Sequence, residues 1–302
     1  MREASTLEGH AVRALYLATG LVDVYLEAGE VALLRAAERQ WRDLVGGKLY
    51  ITGGIGQRPE TEGFGEPYEL PPDRGYCETC AAVASVHWNW RLLLATGKAR
   101  YAELIERTLY NAVLVGTSVD GRSFFYRNTL LDGGEHRRAR WYHVACCPPN
   151  VMRLLASVAH YSATVDDQGL QVHQYLDSEL AATIPAGEVR LEVSTEMPWE
   201  EETTITVLDG PARAWTLSLR IPEWASGASV AVAGSARRSV RPGAYARLRR
   251  RWQTGDLIRL SLPVQPRFTE SHPRVEATRG QVARERGPLV YCCEACDQAS
   301  GT

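Results

Sequence analysis

The spacing of apolar residues changes once along this chain of 302 residues, near residue 165. Before that point, apolar residues recur at the intervals found on one face of an amphipathic helix. After it, short runs alternate apolar and polar residues between clusters of Gly, Pro and Asp, a pattern typical of strands joined by turns. The change predicts an α+β multidomain chain, with a helical domain over residues 1–165 and a β-sandwich domain over residues 166–302.

The two patterns also place individual elements. Predicted helices cover residues 10–18, 31–44, 80–94, 101–114 and 151–161. Predicted strands include residues 191–195, 203–207, 215–221, 229–232 and 257–262. Because these strands are short and separated by turn signals, we expect an antiparallel β-sandwich.

A long segment rich in Gly and Pro, residues 50–73, interrupts the helical half. Loops of this length inside a compact domain are often functional, and this one carries Glu62. It also contains a Gly53-Gly54-x-Gly56 cluster, but no Gly-Lys-Ser/Thr follows, which argues against a nucleotide site. We expect these glycines to serve a sharp turn or a close approach of the backbone to a ligand.

The charge pattern favours some partners over others. The formal net charge is -2 and the sequence has no dense block of Lys and Arg, which argues against nucleic acid or an anionic membrane as the main partner. The most basic stretch, residues 247–251, is better explained as a solvated strand edge. The sequence lacks a run of about 18 apolar residues and an apolar signal core, so we predict neither a membrane span nor export.

The cysteines indicate a metal site. There are 7 of them, an odd number, and adjacent pairs such as Cys146-Cys147 rarely bond to each other, so a disulfide framework is a poor fit and a reducing, cytoplasmic location is predicted. Glu78, Cys80, Cys146 and Cys147 offer the carboxylate and thiolate ligands that a soft divalent metal such as zinc prefers. Glu62 is left over. A carboxyl group beside a metal-activated thiolate is what acid-assisted nucleophilic substitution requires, so the set predicts catalysis.

The other cysteines leave alternatives open. Cys77 forms a Cys-x-x-Cys pair with Cys80 that a redox protein could use, but zinc ligation by Cys80 is favoured, which makes Cys77 a small apolar helix residue. Cys292, Cys293 and Cys296 invite a second metal site. We reject it because adjacent strand residues point to opposite faces of a sheet.

Seven segments of the chain together resemble a known family. They are Gly9-His10-Ala-Val-Arg13, Ile51-Thr-Gly-Gly-Ile-Gly56, Glu78-Thr-Cys80-Ala, Glu106-Arg-Thr-Leu-Tyr-Asn111, Phe125-Tyr126-x-Asn128, Cys146-Cys147-Pro-Pro-Asn150 and Glu285-Arg-Gly-Pro-Leu-Val-Tyr291. Their order and approximate spacing are similar to those of glycoside hydrolase family 127, the β-L-arabinofuranosidase family, over nearly the whole chain.

The resemblance implies a fold and a chemistry. The fold would be an (α/α)6 barrel followed by β-sandwich structure. The activity would be retaining hydrolysis of a β-L-arabinofuranoside, with Cys146 as nucleophile and Glu62 as general acid/base. Glu78, Cys80, Cys146 and Cys147 would ligate a zinc ion. A carbohydrate substrate is the partner that this implies.

The resemblance further implies that His10, Glu106 and Tyr126 contact the sugar hydroxyls. Each residue also has a structural interpretation. A single His or Glu on a helix can be a paired structural group, and a Tyr can fill a core with its hydroxyl satisfied.

The helical part is short for the implied fold. Twelve helices of about 11 to 12 residues with their loops need more than the residues that precede the β pattern. We therefore expect about half of such a barrel, with an apolar helix face open to association with another copy or chain. A non-catalytic zinc- or carbohydrate-binding fragment of such an enzyme is the alternative function.

Overall fold

The computed structural model describes residues 2–293, which form two compact units. The first unit contains residues 2–97, 104–155 and 267–293, and the second contains residues 98–103 and 156–266. Within residues 2–293, no helix combines the length and the apolar character that a bilayer span requires. Cys296, which the sequence placed in a rejected metal cluster, lies outside the described residues.

The helices occur where apolar periodicity predicts them. The described residues contain five α-helices: α1 (Ala11–Ala28), α2 (Val31–Gly47), α3 (Thr79–Thr96), α4 (Ala99–Thr108) and α5 (Cys147–Ala156). Helix α4 continues as a π-helical segment, Leu109–Val113, and a 3-10 segment, Leu114–Gly116. Further 3-10 turns cover Pro59–Thr61, Val158–Tyr161 and Glu276–Thr278. The mixed helix and sheet content is as predicted, whereas these helices by themselves do not make the twelve of an (α/α)6 barrel.

Helix α3 is the core of the first unit. Every residue from Thr79 to Val86 is buried, and α3 packs against both α1 and the π-helical segment. A helix covered on several sides carries apolar residues all round, which explains its weak amphipathic pattern. Helix α1 differs, because Leu17 and Val24 on it are exposed.

The second unit is built from two sheets. Its strands are β1 (Ala163–Asp166), β2 (Gly169–Val172), β3 (Ser178–Ile184), β4 (Gly187–Thr195), β5 (Glu202–Asp209), β6 (Trp215–Ile221), β7 (Ser229–Val232), β8 (Arg238–Ser239), β9 (Ala244–Arg250) and β10 (Leu257–Ser261). One sheet has the order β1-β2-β6-β9 and the other β3-β4-β5-β10-β7-β8. All pairings are antiparallel except that of β2 with β6, which is parallel and departs from the predicted antiparallel sandwich.

Both sheets contribute to a single hydrophobic core. Leu217 and Leu219 of β6 meet Leu191 of β4 and Ile258 of β10 in one cluster of buried side chains. Two sheets that share an inner core are a β-sandwich. The basic stretch belongs to β9, at the edge of its sheet, and its arginines are exposed, as predicted for a solvated edge strand.

A third sheet belongs to the first unit. It has the order β11 (Pro266–Glu270), β12 (Val282–Arg286) and β13 (Leu289–Tyr291). Glu285 on β12 is only 2% exposed and accepts hydrogen bonds from Arg107 (2.8 Å) and from Arg267 (3.1 Å). Burial raises the pKa of this carboxyl, but hydrogen bonds from Thr269 and Arg107 outweigh burial and lower it overall. This buried ion pair joins α4 to the sheet.

Candidate metal and catalytic site

Three helices begin at the candidate site. His10 directly precedes α1, Glu78 precedes α3 and Cys146 precedes α5. The carbonyl of Cys146 accepts the first helical hydrogen bond of α5, from Asn150 N at 3.2 Å. The unpaired N–H groups at a helix N-terminus carry partial positive charge, which stabilises thiolates and carboxylates. Glu78 and Cys146, which become negative when ionised, therefore lie where helix ends favour an anion.

Glu78, Cys80, Cys146 and Cys147 come together as one compact cluster, and their ligand atoms lie within 4.8 Å of one another. The Sγ atoms of Cys80 and Cys147 are 3.5 Å apart, and those of Cys146 and Cys147 are 3.7 Å apart. Glu78 Oε1 lies 3.4 Å from Cys146 Sγ and 3.8 Å from Cys147 Sγ. The chain thus gathers ligands separated by more than 60 residues of sequence.

These separations fit a tetrahedral ion. Metal–sulfur bonds of about 2.3 Å in a tetrahedral zinc site place neighbouring sulfur atoms about 3.8 Å apart. The observed distances of 3.5 and 3.7 Å approach that value. Glu78 is also 2% exposed, and its Oε2 has no hydrogen-bond partner among the described residues. A buried carboxylate oxygen without a partner is costly unless an ion or a ligand satisfies it.

The pKa values in the cluster show that most of its groups do not ionise readily by themselves. Burial raises the pKa of Cys146 to about 11 and also raises that of Glu78. The pKa of Cys147 is raised chiefly by its hydrogen bond with Cys80, whereas the same pair lowers the pKa of Cys80. Without a cation, one thiolate thus suppresses ionisation of its neighbours. A bound dication reverses this, because coordination deprotonates thiols.

Two further side chains contact the thiols. The Tyr126 hydroxyl lies 3.1 Å from Cys146 Sγ, so the structure brings this predicted sugar contact to the predicted nucleophile. Asn150 donates a hydrogen bond from Nδ2 to Cys80 Sγ at 3.0 Å, while its Oδ1 accepts one from Arg153 at 2.7 Å. Such outer partners orient metal ligands. Sequence reasoning did not assign Asn150 this role, although its position one helical turn after Cys147 was a usable signal.

Glu62 and His10 form a pair beside this cluster. His10 Nε2 lies 3.0 Å from Glu62 Oε2, and the two side chains are 21% and 41% exposed. Together with Glu78 they form a second group whose ligand atoms lie within 4.8 Å of one another. The predicted acid/base therefore lies next to the metal ligands and is open to solvent.

The backbone around Glu62 is tightly constrained. Glu62 has φ 51° and ψ 36°, in the left-handed region, and its carbonyl accepts a hydrogen bond from Ala11 N at 2.9 Å. The next residue, Gly63, packs so closely on Gly9 that a Cβ would lie 2.6 Å from Gly9 O. A contact that close excludes any side chain at position 63 unless the backbone moves. The start of α1 thereby fixes the position of Glu62.

Tyr76 is a site residue that the sequence analysis missed. It is 8% exposed, and its hydroxyl interacts with both the Glu62 carboxyl and the Tyr126 hydroxyl. The rings of Tyr76 and Tyr126 meet edge to face at 6.2 Å. Burial raises the pKa of Tyr76, so its hydroxyl keeps its proton. Its position two residues before Glu78 was the only signal in the sequence.

Other predicted residues lie outside the two clusters. Glu106 is buried on α4, and neither ligand cluster among residues 2–293 includes it. Cys77 is buried as expected, but it is not helical: it precedes α3 with φ 39°, so that prediction was wrong. Cys292 and Cys293 follow β13 rather than lying on a strand, and no disulfide joins the cysteines among the described residues.

Comparisons with known protein families identify the family of this chain. The model of the β-L-arabinofuranosidase GH127 catalytic domain matches residues 1–160. The GH127 middle domain matches residues 169–264, and the glycoside hydrolase family 127 C-terminal domain matches residues 266–302. The three matches cover nearly the whole chain.

Individual relatives are similar over the same region. A non-reducing end β-L-arabinofuranosidase of Bifidobacterium longum subsp. longum is 36% identical over 98% of the chain and 47% of its own length. A solved GH127 β-arabinofuranosidase matches with a TM-score of 0.95 at 37% identity, over 98% of this chain and 49% of its own. A GH127 β-L-arabinofuranosidase from Geobacillus stearothermophilus T6 matches with a TM-score of 0.91 at 37% identity, over 96% of this chain and 48% of its own. The chain spans about half the length of these relatives, and it belongs to glycoside hydrolase family 127.

Proposed function

We propose that this chain carries the catalytic centre of a zinc-dependent retaining glycoside hydrolase that releases β-L-arabinofuranose from arabinosides or glycoconjugates. One observation carries the proposal. Cys146 Sγ lies 3.4 Å from Glu78 Oε1 and 3.7 Å from Cys147 Sγ, within a cluster that borders Glu62. The sugar is inferred from the relatives, two of which are described as β-L-arabinofuranosidases.

Glu78, Cys80, Cys146 and Cys147 would hold the zinc ion. When bound, zinc would keep the thiols deprotonated at neutral pH. The identity of the ion is inferred from the ligand set, because thiolates select soft divalent ions over magnesium or calcium.

In the proposed first step, Cys146 Sγ attacks the anomeric carbon of the sugar. The bond to the leaving oxygen breaks as Glu62 donates its proton to that oxygen. This leaves a sugar bound to Cys146 and an ionised Glu62. In the second step Glu62 takes a proton from water, the water oxygen attacks the anomeric carbon, and the bond to Cys146 breaks. Two inversions give overall retention.

Neighbouring groups would prepare this chemistry. The Tyr126 hydroxyl, 3.1 Å from Cys146 Sγ, is placed to donate its proton to a thiolate and to accept a hydrogen bond from a sugar hydroxyl. His10, 3.0 Å from Glu62 Oε2, would orient the acid and bind the sugar. Glu106 remains a predicted sugar contact.

Larger features of the protein are also proposals. We place α1 to α5 in part of an (α/α)6 barrel and keep the domain boundary near residue 165. Leu17 and Val24 are exposed on α1, which is compatible with association through a helix face. A reducing, cytoplasmic location remains a prediction, which the lack of a disulfide among Cys77, Cys80, Cys146 and Cys147 supports.

The proposal is tested by measuring zinc content and hydrolysis of a chromogenic β-L-arabinofuranoside on the same preparations. Cys146→Ala should abolish hydrolysis, whereas Cys293→Ser, at an exposed cysteine, should change nothing. Cys147→Ser should reduce zinc content below one ion per chain. Hydrolysis that survives Cys146→Ala would exclude the proposed nucleophile. If the chain binds zinc and sugar without hydrolysis, and Glu62→Gln does not change that binding, the chain is instead a non-catalytic binding protein.

A further inference from the structure

A second group of metal-type ligands borders the cysteine cluster. It consists of His10, Glu62 and Glu78, which offer one imidazole nitrogen and two carboxylates within 4.8 Å of one another. His10 Nε2 and Glu62 Oε2 are 3.0 Å apart. Ligand atoms about 2.1 Å from one tetrahedral zinc ion lie about 3.4 Å apart. The two atoms would therefore need to separate by only about 0.4 Å to bind one ion together.

Two atoms of this group are buried without partners. Within the described chain, Glu78 Oε2 and His10 Nδ1 have no hydrogen-bond partner. Glu78 is 2% exposed, and its other oxygen, Oε1, already faces the thiols of Cys146 and Cys147. One carboxylate thus has an oxygen engaged with the cysteine cluster and an oxygen still unsatisfied. A carboxylate that bridges two metal ions binds one ion through each oxygen.

We propose that His10, Glu62 and Glu78 form a second, weaker site for a zinc-like divalent cation, which shares Glu78 with the cysteine cluster. Its ligands are nitrogen and oxygen only, and the side chains of His10 and Glu62 are 21% and 41% exposed. The ion can therefore enter and leave from solvent, whereas the cysteine cluster is mostly buried.

Occupancy of the second site would inhibit the proposed reaction. An ion bound to Glu62 displaces the proton that the carboxyl must donate to the leaving group. This consequence rests on the proposed function, but the binding itself does not. Excess zinc would thus act as an inhibitor of an enzyme that needs one zinc ion.

The test measures binding separately from activity. The purified chain, loaded with one equivalent of zinc, is titrated with further Zn²⁺ by calorimetry and by equilibrium dialysis with elemental analysis. We expect a second equivalent to bind with micromolar affinity. His10→Gln and Glu62→Gln should each weaken it at least tenfold and leave the first equivalent in place. Glu60→Gln, at an exposed carboxylate of the same loop, is the matched control and should leave both equivalents unchanged.

The outcomes separate the two proposals. Saturation at one equivalent, or a second equivalent that persists in both His10→Gln and Glu62→Gln, would overturn the second site. If the wild-type chain hydrolyses a furanoside, its rate should fall as the second equivalent binds. Two equivalents with the predicted variant pattern and no hydrolysis would support the second site and count against the proposed function.

Discussion

Replacing Gly63 with alanine should displace Glu62, the proposed acid/base, without removing the candidate metal site. Glu62 and Gly63 lie against the start of α1, and the added Cβ would be 2.6 Å from Gly9 O. Gly9 O cannot yield easily, because it accepts a hydrogen bond from Phe64 N at 3.0 Å. An ordinary carbon–oxygen contact needs about 3.5 Å, so the backbone at position 63 must shift by about 0.9 Å.

That shift moves the neighbouring carboxyl by a similar distance. Catalytic groups need placement within about 0.5 Å, and a misplacement of about 1 Å can cost a hundredfold in rate. We therefore expect Gly63→Ala to lower kcat for a β-L-arabinofuranoside between tenfold and a hundredfold. Overpacking of this kind should also cost about 1 to 3 kcal/mol of folding free energy. Zinc content should stay at the wild-type value, because the cysteine ligands lie on other elements.

The assay combines kinetics, elemental analysis and urea unfolding of one preparation. Gly20→Ala is the matched control, since a Cβ at that α1 position meets nothing within 4 Å. It should leave kcat unchanged and raise stability slightly, as glycine is a poor helix former. Wild-type kcat together with wild-type stability in Gly63→Ala would refute the steric argument. Loss of zinc along with activity would show that the loop also supports the cysteine cluster.

Three further predictions concern other parts of the chain. Tyr76→Phe removes a hydroxyl that interacts with Glu62, so it should lower kcat about tenfold while the zinc content stays the same. An unaltered kcat would exclude a role for the hydroxyl. Burial, with a contribution from Arg220, lowers the pKa of His173 to about 3. The free energy of unfolding should therefore be highest above the unfolded-state pKa of about 6.5, and it should fall by up to about 1.4 kcal/mol per pH unit as the pH drops from there toward 3. His173→Gln should flatten that slope in urea unfolding, and an identical slope would contradict the assignment. Glu285→Gln leaves two arginines beside a neutral group and should lower the free energy of unfolding by about 3 kcal/mol. Glu179→Gln, in an exposed ion pair, should lower it by less than about 1 kcal/mol, and equal losses in the two variants would contradict this.

The sequence predicted elements well where one periodicity dominates. The helical patterns became α1 to α5, and the alternating runs became β4, β5, β6, β7 and β10. Two departures have physical reasons. The π-helical segment at Leu109–Val113 keeps helical spacing in the sequence, so periodicity does not distinguish it. The parallel pairing of β2 with β6 joins strands distant in sequence, and a local alternating pattern carries no information on strand direction.

The sequence predicts which side chains could ligate a metal, but it does not predict how they are arranged in space. Thiolates and carboxylates at Glu78, Cys80, Cys146 and Cys147 indicate a soft metal by residue type alone. The residue types of Tyr76 and Asn150 do not distinguish them from core or capping residues, and apart from their positions beside the cluster's residues only their contacts indicate a role. The direct pairing of His10 with Glu62 also required the fold, because a loop brings Glu62 back to the start of α1.

The conformation of Glu62 has an evolutionary consequence. Its φ of 51° lies in a region that costs a typical L-residue about 1 to 2 kcal/mol and that asparagine and glycine tolerate better. Random substitution to Asn or Gly at this position would thus relax the backbone while deleting the carboxyl. Drift in a lineage released from selection for hydrolysis should favour such replacements. Under the proposed function, folded but inactive descendants of this site should therefore arise easily.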